Sequence, residues 1–183
     1  MKRLLTPLPR LLILAVSTAA VLLPPTGGPR NEFGRKAFER IKSLAGEWVA
    51  VEDGKPTDRV VSRMRVTAGG HAVLEILFPG TPKEMVTVYH LDGDDLVLEH
   101  YCVLGNQPRM VARAGQGADQ IAFDFASCCN LDDAGARHMH EATIELVGPD
   151  RLRTDWRQFE NGANNYTVAH ELARRKVDGR TVR

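Results

Sequence analysis

The sequence predicts an all-β protein, an antiparallel up-and-down β-barrel of about ten strands preceded by a short N-terminal helix. From Gly46 onward, apolar residues alternate with period two in about ten short runs, each bounded by Gly, Pro, Asn or Asp. The connections leave no room for crossover helices, so neighbouring strands must pair antiparallel. Closure into a barrel would remove the exposed sheet edges. A two-sheet sandwich is the alternative, and it would need longer loops between the sheets.

Length and charge fit one ordinary globular domain. The chain has 183 residues, of which 43% are hydrophobic and 26% charged, and its formal net charge is +1. This balance gives no reason to expect nucleic acid or an anionic membrane surface as a partner. We divide the chain into a signal peptide and linker (1–30), a barrel domain (31–176) and a polar C-terminal tail (177–183).

The first thirty residues have the pattern of a targeting segment. Lys2, Arg3 and Arg10 precede an apolar stretch from Leu11 to Leu23, which Pro24 follows. A basic region followed by a short apolar stretch is typical of a secretory signal, and the stretch is short for a membrane span. We therefore expect a periplasmic or extracellular protein with no membrane span after cleavage. An uncleaved anchor is the alternative.

The predicted elements follow in order along the chain. Residues 33–44 carry apolar side chains at helical spacing with charged residues between them, which predicts one amphipathic helix. The ten predicted strands are Glu47–Glu52, Arg59–Thr67, His71–Phe78, Glu84–Leu91, Asp95–Leu104, Arg109–Ala114, Gln120–Ser127, His138–Val147, Arg151–Phe159 and Tyr166–Arg174.

The connections between these strands differ in length at the two ends of the predicted barrel. The even-numbered connections are tight turns: 68–70, 92–94, 115–117 and 148–150. The odd-numbered connections are mostly longer: 79–83, 105–108, 128–137 and 160–165. All odd connections lie at one end of an up-and-down barrel. We therefore expect a closed end, where the helix enters and could act as a plug, and an open end that could admit a small molecule.

The more apolar face of each strand should point inward, and near the open end this face carries polar residues. Together with apolar wall residues, these form a candidate site for a small, largely apolar ligand. The candidate ligand-binding residues are His100, Cys102, Asn106, Phe123, Phe125, Asn130, His138, His140, Trp156, Tyr166 and His170. A purely structural interpretation is also open: the histidines and Trp156 could bond loop carbonyls, with Asn106 and Asn130 pinning the loops.

A metal or haem site is a second hypothesis for the same residues. His138 and His140 share one strand face with Cα atoms about 7 Å apart. His100 would complete a three-histidine site for zinc or another divalent metal. No inward carboxylate is identified as its partner, so no cofactor is the leading expectation. Catalysis is not predicted, since a Cys102–His100 pair on one strand would not meet in line. A protein-interaction module with a packed interior is the third hypothesis.

Cysteine usage gives no disulfide framework. Cys128 and Cys129 are adjacent, Cys102 could pair with one of them, and one thiol is always left over.

The segment Leu44-Ala45-Gly46-Glu47-Trp48 resembles the G-x-W signature of lipocalins and related calycin barrels. The resemblance implies that Trp48 packs at the closed end against a basic residue of the last strand, Arg174 or Arg175. A longer pattern resembles a family of poorly characterised bacterial lipocalin-like proteins; it comprises residues 89–94, 100–102, 105–110, 130–131 and 138–140. Nitrobindin-like barrels, which hold haem through a late histidine, are more distantly similar. Ala50 and Glu52 replace two glycines of their pattern, which argues against a haem role for His170.

Overall fold

The computed structural model describes residues 32–115, 117, 119–177 and 180–181, so the predicted signal peptide lies outside the described residues. Within these described residues, one helix precedes the strands, α1 (Glu32–Ser43). The ten main strands are β1 (Gly46–Glu52), β2 (Lys55–Thr67), β3 (Ala72–Leu77), β4 (Met85–Asp92), β5 (Asp95–Tyr101), β6 (Gln107–Ala114), β7 (Gln120–Cys129), β8 (His138–Gly148), β9 (Arg151–Glu160) and β10 (Ala163–Arg174). A single 3₁₀ turn, Ala68–Gly70, joins β2 to β3.

The ten strands form a closed barrel in which each strand pairs antiparallel with its neighbours in sequence. The first strand closes on the last, with Trp48 opposite Arg174 and Ala50 opposite Leu172. The predicted up-and-down barrel is therefore confirmed, and the sandwich alternative is wrong. Closure satisfies the backbone groups that β1 and β10 would otherwise leave unpaired.

The helix lies at the end of the barrel where the even-numbered connections turn. Gly34 packs so closely on the turn between β4 and β5 that an added Cβ would lie 2.1 Å from the carbonyl oxygen of Asp94. Arg35 forms an ion pair with the Asp94 carboxylate, and Arg40 bonds Asp119 in the next even connection at 2.9 Å. The apolar face of the helix is buried in the barrel core. The predicted plug at the closed end is confirmed.

Trp48 fixes the junction between the helix and the first strand. Its side chain is 1% exposed, and its indole N–H donates to the Leu44 carbonyl at 2.8 Å. The Arg174 guanidinium lies 4.4 Å from the centre of the indole ring and donates to the carbonyls of Ala45 and Ser43. The expected contact between Trp48 and a basic residue of the last strand is present, and it ties the helix end to the barrel.

Some strand bounds differ from the prediction: β2 begins at Lys55, β7 ends at Cys129 and β10 begins at Ala163. Strand β5 ends at Tyr101, so Cys102 and Leu104 belong to the connection that follows. The chain turns there because the Cys102 amide donates to the Asn106 carbonyl instead of continuing the strand. At the junction of the predicted barrel domain and tail, Lys176–Val177 pairs with Arg180–Thr181 as a small separate ladder. The three cysteines are free thiols. Among the described residues, no helix is long and apolar enough to cross a membrane.

Candidate functional site

A cavity of about 620 Å³ lies at the open end of the barrel. Its walls come from β2, β3, β4, β5, β8, β9 and β10 and from the connection between β3 and β4. The lining residues are Arg59, Leu77, Phe78, Thr81, Pro82, Lys83, Met85, His100, Met139, Trp156, Tyr166, Val168 and His170. Leu77, His100 and Trp156 are buried and form the floor, whereas Arg59, Lys83 and Tyr166 are exposed at the rim. An apolar space with few polar groups is the usual composition of a small-molecule site.

His100 is the polar group of the cavity floor. Its side chain is 1% exposed, and its Nδ1 lies 2.9 Å from the Thr87 hydroxyl on the neighbouring strand. The ring also packs on Trp156, with ring centroids 4.8 Å apart. Burial lowers the pKa of His100 to about 4, because desolvation disfavours the charged ring. The imidazole is therefore neutral at physiological pH.

The second ring nitrogen of His100 has no partner among the described residues. Nε2 is buried and makes no hydrogen bond. If Nδ1 carried the proton, both the Thr87 hydroxyl proton and the Nε2 lone pair would need further partners. If Thr87 donates to Nδ1, the Nε2–H group alone is unsatisfied. The second arrangement leaves fewer buried polar groups unpaired, so we assign the proton to Nε2.

One wall of the cavity is the connection between β3 and β4. Phe78 adopts a left-handed backbone conformation with φ of 50°, and its amide donates to the Val61 carbonyl at 2.7 Å. The Phe78 ring meets His170 edge to face, with centroids 5.6 Å apart. Burial, followed by the nearby positive charge of Arg59, lowers the pKa of His170. The sequence predicts Phe78 as the last residue of a strand and 79–83 as the connection, whereas the observed strand ends at Leu77. Nothing in the composition of this segment shows that the backbone turns Phe78 toward the opposite strand.

Four of the candidate ligand-binding residues line this cavity: His100, Trp156, Tyr166 and His170. The others have different surroundings. Phe123 is fully buried and packs against Tyr89 in the core. Cys102 is buried in the connection after β5.

Asn106 and Asn130 behave as the structural interpretation expects. The Asn106 amide donates to the Arg137 carbonyl at 2.7 Å, and the Asn130 amide donates to Gln107 Oε1 at 2.6 Å. The first bond joins the connection after β5 to the connection between β7 and β8. The second joins Gln107, the first residue of β6, to the same connection. These two asparagines therefore pin the loops.

His138 and His140 bond each other rather than lining the cavity. His138 Nε2 lies 2.9 Å from His140 Nδ1, and His138 Nδ1 lies 2.8 Å from the Ala136 carbonyl. The His140 ring stacks between Phe125 and Phe159, at centroid distances of 4.5 and 4.1 Å. Burial, and to a lesser degree the neighbouring His138, lowers the pKa of His140.

The predicted three-histidine metal site is not assembled. Within the described part of the chain, no group of three or more His, Cys, Asp or Glu side chains is placed to hold a metal ion. The pairing of β8 with β9 shifts register between Met139 and Glu141. This irregularity breaks the alternation on which the prediction relied, and Met139 instead of its histidine neighbours lines the cavity.

A buried carboxyl group, which the sequence pattern does not predict, lies beneath the cavity. Glu75 is 3% exposed on the inner face of β3. The Ser62 hydroxyl donates to Oε1 and the Tyr89 hydroxyl to Oε2, each at 2.6 Å. Burial raises the pKa of Glu75, against the opposing effect of the two hydroxyl donors. Its register partner on β4 is Thr87, which lies opposite His100 on β5, so a polar layer spans three strands.

No protein-family model matches the chain, and no curated protein sequence matches it either.

Proposed function

We propose that the protein binds a small, largely apolar molecule in the open end of its barrel. The observation that carries this proposal is the cavity of about 620 Å³, which has apolar walls and a buried histidine on its floor. A protein-interaction module with a filled interior would have large side chains in this space. The cavity therefore favours ligand binding over the packed-barrel hypothesis.

Trp156 on the cavity floor makes the proposal directly testable. The chain has two tryptophans, and Trp48 lies at the closed end. A Trp48→Phe variant isolates the emission of Trp156. Titration with the uncharged fluorophore N-phenyl-1-naphthylamine should quench this emission in a saturable way. Absence of saturable quenching would refute the proposal.

A blocking variant separates cavity binding from surface adsorption. Val168→Phe adds a ring to the cavity wall, and we expect it to weaken probe binding about tenfold or more, as overfilling of a packed site does. Val147→Phe is the matched control, because Val147 is 64% exposed on β8 and is not part of the cavity lining. Equal affinity in the two variants would place the probe elsewhere.

We further propose that the protein is exported and is a lipocalin-like barrel of the calycin type. The basic and apolar pattern of residues 1–30 supports export. The Gly46-Glu47-Trp48 segment and the packing of Arg174 on Trp48 support the second proposal. Fractionation of cells that express the full chain tests export. Recovery of an uncleaved protein in the cytoplasm would contradict it.

A further inference from the structure

We infer that the ligand carries an uncharged hydrogen-bond acceptor, such as a ketone or ester carbonyl, which enters the cavity first and accepts the Nε2–H of His100. This inference rests on the proposed function and specifies the chemistry of its ligand. It follows from one buried polar atom that the described chain leaves without a partner.

The position of His100 selects an acceptor on the inner end of the ligand. The ring belongs to the buried floor, and Thr87 holds its Nδ1 on the β4 side. The two ring nitrogens face different directions, so Nε2 is turned away from Thr87. Nε2 has almost no accessible surface, so an acceptor in the cavity reaches it only where the Trp156 ring beside it shifts. Trp156 packs on the ring and limits its rotation. A buried N–H group without a partner is unfavourable, and an acceptor on the ligand would remove that penalty.

The surroundings of His100 favour a neutral acceptor over a carboxylate. The cationic lining residues, Arg59 and Lys83, are exposed at the rim. Arg59 also bonds Glu52 at 2.8 Å. The other floor residues, Leu77 and Trp156, carry no charge. A carboxylate pushed down to the floor would lose its hydration without meeting a cation, whereas a carbonyl loses much less.

A pair of nearly isosteric probes isolates this one hydrogen bond. 2-Acetylnaphthalene carries a carbonyl oxygen, and 2-ethylnaphthalene has the same ring system without an acceptor. Displacement of N-phenyl-1-naphthylamine gives both affinities under the same conditions. We expect the ketone to bind about tenfold more tightly after correction for its lower hydrophobicity, because the alkyl probe leaves the N–H unpaired.

Variants at His100 assign the preference to the named atom. His100→Leu in a Thr87→Val background removes the donor and leaves no hydroxyl unpaired, and the ratio of the two affinities should fall to about one. His100→Gln retains an N–H donor, so part of the preference should remain. The measured quantity is the ratio of the affinities for the two naphthalene probes, so a weakening caused by altered packing affects both probes and cancels in the ratio. Should the double variant fail to fold, the wild-type ratio still decides.

The outcomes separate this inference from the proposed function. Equal binding of the two probes to the wild-type protein would overturn the inference and leave the apolar cavity standing. Tighter binding of 2-naphthoate than of the ketone would overturn it in favour of a charged acceptor. Failure of both naphthalenes and of N-phenyl-1-naphthylamine to bind would overturn the proposed function itself.

Discussion

Removal of the Tyr89 hydroxyl tests the buried polar layer beneath the cavity. Tyr89 donates to Glu75 Oε2 at 2.6 Å, and Ser62 donates to the other carboxyl oxygen. Tyr89→Phe removes one of these two donors and keeps the aromatic ring, which packs against Phe123 with centroids 6.0 Å apart. The variant therefore changes hydrogen bonding with little change in packing.

The expected loss is about 2 kcal/mol in the free energy of unfolding. A buried acceptor that loses its donor costs about 1–3 kcal/mol, and Glu75 is almost fully buried. For a chain of this length, each kcal/mol lowers the melting temperature by about 2–4 °C. Tyr89→Phe should therefore melt about 4–8 °C below the wild-type protein.

The pH dependence of this loss has a definite sign. Burial raises the pKa of Glu75, so the folded protein holds this proton more tightly than the unfolded chain. The contribution of Glu75 to stability therefore falls as pH rises from the ordinary carboxyl value towards the raised one. Tyr89 stabilises the charged form, so its removal raises the folded pKa further. The loss should be larger at about pH 8 than at about pH 4.

Urea unfolding followed by circular dichroism measures these differences. Tyr101→Phe is the matched control, since Tyr101 is 49% exposed, and it should change stability by less than about 0.5 kcal/mol. A double-mutant cycle with Glu75→Leu, which removes the acceptor, isolates the coupling between the two side chains. An unchanged urea midpoint for Tyr89→Phe, or an equal loss in the Glu75→Leu background, would refute the reasoning.

Three further predictions concern the floor and the closed end of the barrel. Burial lowers the pKa of His100 from 6.5 to about 4. The neutral ring therefore contributes on the order of 3 kcal/mol to the free energy of unfolding, a contribution that is fully present above about pH 6.5 and lost as the pH falls to about 4. His100→Gln should reduce the change of the urea midpoint with pH over this range, and an unchanged pH dependence would contradict this. Gly34→Ala forces a Cβ against Asp94 and should cost about 1–3 kcal/mol in urea unfolding, whereas Gly148→Ala, which enters open space, should cost little. Trp48→Phe removes the buried indole donor to the Leu44 carbonyl and should also lower the free energy of unfolding by about 1–3 kcal/mol. A urea midpoint within error of the wild type would show that this hydrogen bond does not stabilise the closed end.

The barrel could be predicted from the sequence because each of its determinants is local. Strict alternation marks the strands, and turn residues mark the connections. The closed end could be located because the helix precedes the first strand and therefore meets the even-numbered turns. The observed boundaries of β8, His138–Gly148, extend only one residue beyond the predicted ones.

The candidate site was only partly predictable because it depends on departures from that alternation. The irregularity between Met139 and Glu141 places Met139 on the cavity wall and leaves His138 and His140 bonded to each other. Register irregularities depend on pairing between strands and leave no reliable signal in a single sequence.

Glu75 shows a second limit of sequence reasoning. On β3 it shares its face with Val73 and Leu77, whereas Leu74 and Ile76 make the opposite face more apolar. A rule that turns the more apolar face inward therefore places Glu75 outside. The carboxyl is buried because Ser62 on β2 and Tyr89 on β4 supply donors, and neither position in the sequence reveals that contact.

The placement of the helix gives a physical reason for a cavity at the other end. The helix fills the closed end, where Phe38 and Ile41 are almost fully buried in the core. The connections of the open end do not fill the space there, and about 620 Å³ remains. The layer that contains Glu75, Thr87 and His100 crosses the barrel beneath this space. All of its hydroxyl and carboxyl oxygens have partners within the layer, and only His100 Nε2 lacks one. We therefore expect the proposed ligand to make one polar contact at its inner end, while the remainder of its surface meets mostly apolar walls.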